Sequence, residues 1–343
     1  MKELSTAPLQ HRNLRGILVQ LLGIAIGIAA LAWCIHLALQ PQNKEALAQL
    51  RGISFANATG LLALTFVSIA LNGLCFWATI RGQKQLNPVD LIATNCIATL
   101  LALVPFKASL VFRVLIHNRR DNIPLFTIGA WFAAVGVGAL LVVGPIIIAT
   151  YWREKIDVPW MMAVGLGTPT ILACVMMVAN AISGPDGLQR VQAIAHKLPT
   201  SLPARFSASG AFAQMHSGCD MVSSRWFVVA LVFRAADLLV QAARFYLVSQ
   251  IMGIELSFGN AMLFSGCYFL IGVLSPSGAA GSREAGVTAL AKLRAVISWE
   301  SLAPIALTVT ACELIVLVVL SPIAALILKP WRLKPTQPPA SSS

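Results

Sequence analysis

Apolar and polar positions alternate on a coarse scale along this chain: long uncharged runs are separated by short basic stretches. The runs Ile17–Leu39, Ile53–Ile80, Asn122–Trp152 and Val158–Ser183 each exceed the roughly 20 residues that an α-helix needs to cross a bilayer at about 1.5 Å per residue. Trp226–Ile254 is as long but carries Arg234, Asp237 and Arg244, and Ser301–Leu328 is broken only by Glu313. Each of these six runs predicts a full crossing. A positively charged start followed by an apolar run also resembles a signal peptide, but the 23 residues of Ile17–Leu39 and the lack of a clear small-x-small cleavage site favour a retained first helix.

Two further segments are apolar but interrupted. In Asp90–His117 the uncharged part Leu91–Phe106 is short, and Pro105 and Lys107 break it before Arg113. In Leu256–Val296 the pattern stops at Ser275–Gly286, where Pro276, Gly278 and Gly281 disfavour helix, and resumes as a short helix over Val287–Val296. Irregular backbone at membrane depth survives only when it is buried in protein or lines a wet cavity. Both segments are therefore read as re-entrant or broken helices.

The expected fold class is all-α: a polytopic membrane helix bundle with about six full crossings and two re-entrant or broken helices. Each interrupted segment is flanked by full crossings, and the two enter from opposite sides, which outlines an inverted repeat. The domain reading is a cytoplasmic N-terminal tail over 1–16, a single integral membrane domain over 17–328 with a cytoplasmic loop at 184–224, and a disordered cytoplasmic tail over 329–343. Within that loop, Leu188–Leu198 has helical spacing and is expected to lie along the membrane surface.

Composition agrees with this picture. Of 343 residues, 57% are hydrophobic and 11% charged, against about 25% charged in a soluble domain. Lys and Arg number 25 against 13 Asp and Glu. Under the predicted topology fourteen of the basic residues fall on the cytoplasmic side and four on the outside, the bias of the positive-inside rule. This implies an N-in, C-in protein of a cell membrane, with a bacterial inner membrane expected. It reads the positive excess as contact with anionic lipid headgroups rather than nucleic acid.

Chemistry-bearing residues are few. The seven cysteines are scattered singly without CxxC, the five histidines show no paired spacing, and no G-x-S-x-G, HExxH or Walker A pattern occurs. No catalytic residue, metal ligand or cofactor is signalled, so an enzyme is not favoured. Ionisable groups inside spans are costly and therefore informative. Arg234 and Asp237, three apart, share a helix face and predict an ion pair. Arg244, further along, is read as snorkelling to the outer interface. Glu313 needs a partner from elsewhere, and Arg283 is the candidate. Glu284, Glu313 and Asp237 are the candidate proton carriers. The glycine break predicts an anion site: backbone N–H groups near Gly278 and Gly281 at a helix start, reinforced by Arg283. Lys107 and Arg113, at the first break, make a second basic candidate for lipid phosphate.

The basic break after the second helix, the polar middle loop and the late P-x-G-x-x-G-x-R-E pattern (Pro276, Gly278, Gly281, Arg283, Glu284) resemble the lysylphosphatidylglycerol synthase transmembrane region. This family of flippase-like integral membrane proteins includes hopanoid-associated members. The family's form is close to P-G-G-x-G-x-x-E, and Ser277 stands here where its first glycine is common. No soluble aminoacyl-transferase domain is legible in the sequence, so the resemblance implies the lipid-handling membrane half alone. The expectation is a translocase or flippase-like transporter of an anionic phospholipid, a polyprenyl-linked lipid or a hopanoid-type lipid. The alternative is an accessory subunit or enzyme partner in lipid or lipid-linked glycan synthesis. The expected partners are membrane lipids, with a homo-oligomer or a lipid-biosynthesis enzyme as protein partners.

Overall fold

The computed structural model describes residues 14–103, 108–153, 155–197, 205–275, 279–294 and 297–332, with side chains described from residue 21 onward. Among them there are helices and no strands, so the chain is an all-α bundle. Six helices are long and apolar enough to cross a membrane: α1 (Leu14–Ala38), α3 (Phe55–Ile80), α6 (Leu125–Arg153), α7 (Val158–Ile182), α10 (Arg225–Ile251) and α13 (Trp299–Leu328). These are the six runs expected from sequence. A short α2 (Lys44–Arg51) follows α1. Side-chain caps fix several starts: Ser54 accepts from the Asn57 amide, Ser224 from Trp226 and Asp157 from Trp160. The Arg153 guanidinium beside Asp157 also holds that carboxyl below the usual carboxylate range.

Each interrupted segment forms a pair of helices too short to span on their own: α4 (Pro88–Ala102) with α5 (Ala108–Arg119), and α11 (Phe258–Leu274) with α12 (Ser282–Arg294). Both pairs double back. Asp90, in the first turn of α4, pairs with Arg120, just past α5, at 2.7 Å. In the second pair, Ile271 of α11 packs against Gly286 of α12. The first pair opens toward the end of the bundle where Gly82 meets Ser224 and Trp77 meets Trp226 edge to face. The second opens toward the other end, where Arg294 donates to the Tyr151 carbonyl and Asn43 to that of Glu300.

Helix packing follows an internal exchange. α3 lies along α10, α4 packs on α13, and α11 correspondingly packs on α6. Exchanging α3–α6 with α10–α13 leaves this set of contacts unchanged, and the hairpins enter from opposite ends. That is the packing of an inverted repeat.

One expectation is corrected. The second break is narrower than Ser275–Gly286: α12 already starts at Ser282, which puts Arg283 and Glu284 in its first turn. Within the segment 184–224, α8 (Gly184–His196) covers most of the helix expected over Leu188–Leu198, and α9 (Gly210–Ser223) packs against α6 and α7. The tail begins with a 3-10 turn at Pro330–Arg332, and residues 333–343 lie outside the described residues.

Candidate functional site

The two breaks meet inside the bundle. The Ala279 amide, at the second break, donates to the Ala102 carbonyl at the end of α4 at 2.9 Å. Beside this contact lies a cavity of about 380 Å³, walled by both hairpins and by α3, α6, α10 and α13. Ser68 and Asp237 mark its depth, close to the middle of α3 and α10. At its rim stand Leu110 and Val273, 43% and 62% exposed. The polar interior therefore opens past apolar side chains on the outside of the bundle.

Four buried arginines line the cavity: Arg113, Arg234, Arg244 and Arg283. Their partners divide them into two kinds. Arg234 and Arg283 are held by carboxylates. Arg234 donates from Nη1 to Asp237 and from Nη2 to Asn72, both at 2.8 Å, and stacks over Phe269. Asp237 also accepts from Ser68 at 2.6 Å and Gln241 at 3.0 Å, so both of its oxygens are engaged. Arg283 sets its Nη2 3.0 Å from Glu313, its Nε 3.3 Å from Glu284, and its plane over the Tyr268 ring. Both ion pairs expected from sequence, Arg234–Asp237 and Arg283–Glu313, are present.

Arg113 and Arg244 have no carboxylate within ion-pair distance among the described residues. Arg113 donates from Nη2 to Asn95 at 2.5 Å and lies over Phe76, and its Nη1 has no hydrogen-bond partner. Arg244 donates from Nη2 to the Val309 carbonyl at 3.0 Å, and its Nε has none. Arg113 is only 9% exposed and Arg244 only 4%. Arg244 does not snorkel to the outer interface as expected. It faces inward because α10 is covered on that side by α13, whose Val309 carbonyl accepts a hydrogen bond from it.

The other sequence candidates fall as follows. Glu284 is fully buried just behind Arg283 and does not line the cavity. Gly281 is at φ +80°, and a Cβ there would come within 2.1 Å of the Gly27 carbonyl of α1. Its smallness serves helix–loop packing rather than the approach of a ligand. The amides of Arg283 and Ala285 already donate to Ala279 and Gly281, which removes donors from the expected nest. Gly278 and Lys107 lie outside the described residues.

Sequence reasoning missed the neutral half of the site. Ser68, Asn72, Asn95, Gln241 and Tyr268 orient the charged groups, but a lone uncharged polar residue in an apolar run gives little signal. Asn72 and Asn95, bonded to each other at 3.2 Å, link the Arg234 and Arg113 systems. Among the described residues, no cluster of His, Cys, Asp or Glu could hold a metal ion.

Chemically, the cavity can bind an anion. A buried guanidinium with a free N–H is an incomplete site, because the desolvated donor gains strongly from an acceptor that reaches it. Comparison with protein-family models, curated proteins and solved structures gives no match.

Proposed function

We propose that this chain is a lipid translocase that passes the anionic headgroup of an amphiphile through the cavity while its apolar tail stays outside the bundle. The observation that carries the reading is the pair Arg113 and Arg244, buried and without carboxylates, facing one cavity from opposite repeats. Counting the whole buried site, four guanidiniums face three carboxylates, Asp237, Glu284 and Glu313, so an anion improves the charge balance.

The rim supports an anion attached to an apolar chain. Leu110 and Val273 offer apolar contact where the cavity meets its surroundings, which suits a headgroup that remains attached to a hydrocarbon tail. The depth supports movement across the bilayer. A charge costs most at the centre of the bilayer, and the two breaks bring guanidiniums to that level. The substrate class is a lipid phosphate: an anionic phospholipid, a polyprenyl-linked lipid or a hopanoid-type lipid with an anionic head. The likeness to the lysylphosphatidylglycerol synthase transmembrane region supports the same reading. The end bearing Arg81, Arg120 and Arg225 is the cytoplasmic one by the positive-inside rule, in a bacterial cell membrane.

The test is retention of lipid by the purified full chain, read by mass spectrometry. The parent should keep phosphatidylglycerol in preference to phosphatidylcholine. Arg113→Ala and Arg244→Ala should each lose roughly tenfold or more in occupancy, the loss of a charge-assisted bond worth about 1.5–3 kcal/mol. Equal retention of both lipids, unaffected by either substitution, contradicts the proposal.

A further inference from the structure

The first hairpin carries two side chains that the anion site leaves unused. Thr99 on α4 and Ser109 on α5 line the cavity, half-buried, and neither hydroxyl has a hydrogen-bond partner among the described residues. Elsewhere in these helices Thr65, Thr79, Thr94 and Thr308 each donate to the carbonyl four residues earlier. Spacing puts the two open hydroxyls beside the unpaired guanidinium. Ser109 is four residues before Arg113 and Thr99 four after Asn95, so each lies one turn away on the same helix face, about 5–6 Å between Cβ atoms. Asn95 in turn takes the Nη2 donor of Arg113 and leaves Nη1 without a partner. One wall of the cavity thus offers a guanidinium N–H and, a turn nearer the break, two open hydroxyls.

We propose that Thr99 and Ser109 read the part of the lipid head beyond the phosphate, and that this part is an uncharged polyol such as glycerol. The proposal rests on the translocase reading for the phosphate held at Arg113. Hydroxyls donate and accept alike, so a polyol can satisfy both side chains at once.

Charge disfavours the other common heads, ethanolamine and choline, which end in a cation. Four guanidiniums line the cavity against two carboxylates, Asp237 and Glu313. Both carboxylates are occupied, Asp237 by Arg234, Ser68 and Gln241, and Glu313 by Arg283. Phe76, Phe269 and Tyr268 already carry Arg113, Arg234 and Arg283 over their faces, which closes those rings to a second cation. An ammonium would add a like charge with no carboxylate left to offset it, and a polyol adds none. Size agrees. A cavity of about 380 Å³ holds about a dozen water-sized groups at roughly 30 Å³ each, room for a phosphate with one small polyol and not for an oligosaccharide.

Competition between two synthetic lipids for the purified full chain, read by native mass spectrometry, tests the proposal. Phosphatidylglycerol and phosphatidylmethanol carry the same single negative charge, and only the first has hydroxyls beyond the phosphate. The parent should keep phosphatidylglycerol about tenfold over phosphatidylmethanol, the combined effect of two neutral hydrogen bonds. Thr99→Val with Ser109→Ala should bring the two lipids to parity while phosphatidylmethanol is retained as by the parent, which reports an intact fold and anion site. Thr99→Ser, which keeps the hydroxyl, should keep the preference. Equal retention of the two lipids by the parent overturns the proposal, and so does a double substitution that leaves the preference in place or lowers both lipids alike. If Arg113→Ala still releases both lipids in that case, the translocase reading stands and this one alone fails. Retention of neither lipid by the parent overturns both.

Discussion

Asp237 shows what one residue does in this bundle. It is 1% exposed and accepts from Arg234, Ser68 and Gln241, so its charge is compensated and its lone pairs are used. Removing one member of such a pair leaves the other charge buried and alone, at a cost of about 3–5 kcal/mol. Asp237→Asn should therefore lower thermal stability in detergent markedly, and Arg234→Gln added to it should restore part of the loss. Strictly additive losses would speak against the pair. Gly281 makes a steric counterpart. Overpacking against Gly27 costs about 1–3 kcal/mol, and a side chain in left-handed backbone roughly 1–2 more. Gly281→Val should thus depress the unfolding temperature, whereas a substitution that acted only on ligand approach would leave it unchanged. Gly136 tests the cavity itself. It lines the wall with nothing within 4 Å of where its Cβ would stand, so Gly136→Leu should fold normally and slow lipid movement by occupying space.

At the scale of elements, the two hairpins organise the molecule. If α4 and α5 double back, Asp90 and Arg120 lie together at one end. A cysteine pair at these positions should be joined by a short bismaleimide, and residues 119 and 224 should label from the same side of the membrane. Labelling from opposite sides would mean that α4 and α5 cross as one broken span. Much of this was legible in sequence. The spans stand out because backbone in lipid must be helical and side chains apolar, and Pro105, Lys107 and the glycine run mark the breaks. The start of α12 was misplaced because Ser282, next to Gly281, reads as loop, although Gly281 ends the break with its positive φ. The helix α9 gives a weak sequence signal because polar residues interrupt the face that packs on α6, where a Cβ on Gly218 would stand 3.3 Å from Ala130. The site was only half legible. Arg234–Asp237 lies within one helix turn, so spacing reveals it. Arg113 and Arg244 belong to different repeats, and only the fold shows that they face one cavity without carboxylates.

For the whole molecule, the surface and the interior tell complementary stories. Leu22, Ile148, Val178 and Val319 are each more than 60% exposed, as suits a multi-pass protein surrounded by hydrocarbon. Four guanidiniums are instead hidden inside. Charges so expensive to bury are the groups on which the proposed translocase reading rests. If the cavity moves an anionic lipid, transbilayer movement of fluorescent phosphatidylglycerol and phosphatidylcholine in vesicles reconstituted with the full chain will show it. The parent should accelerate phosphatidylglycerol well beyond protein-free vesicles and beyond phosphatidylcholine, and Arg113→Ala with Arg244→Ala should abolish the acceleration in a protein that still folds. Movement equal to that in protein-free vesicles, or undiminished movement by the folded double variant, would contradict it.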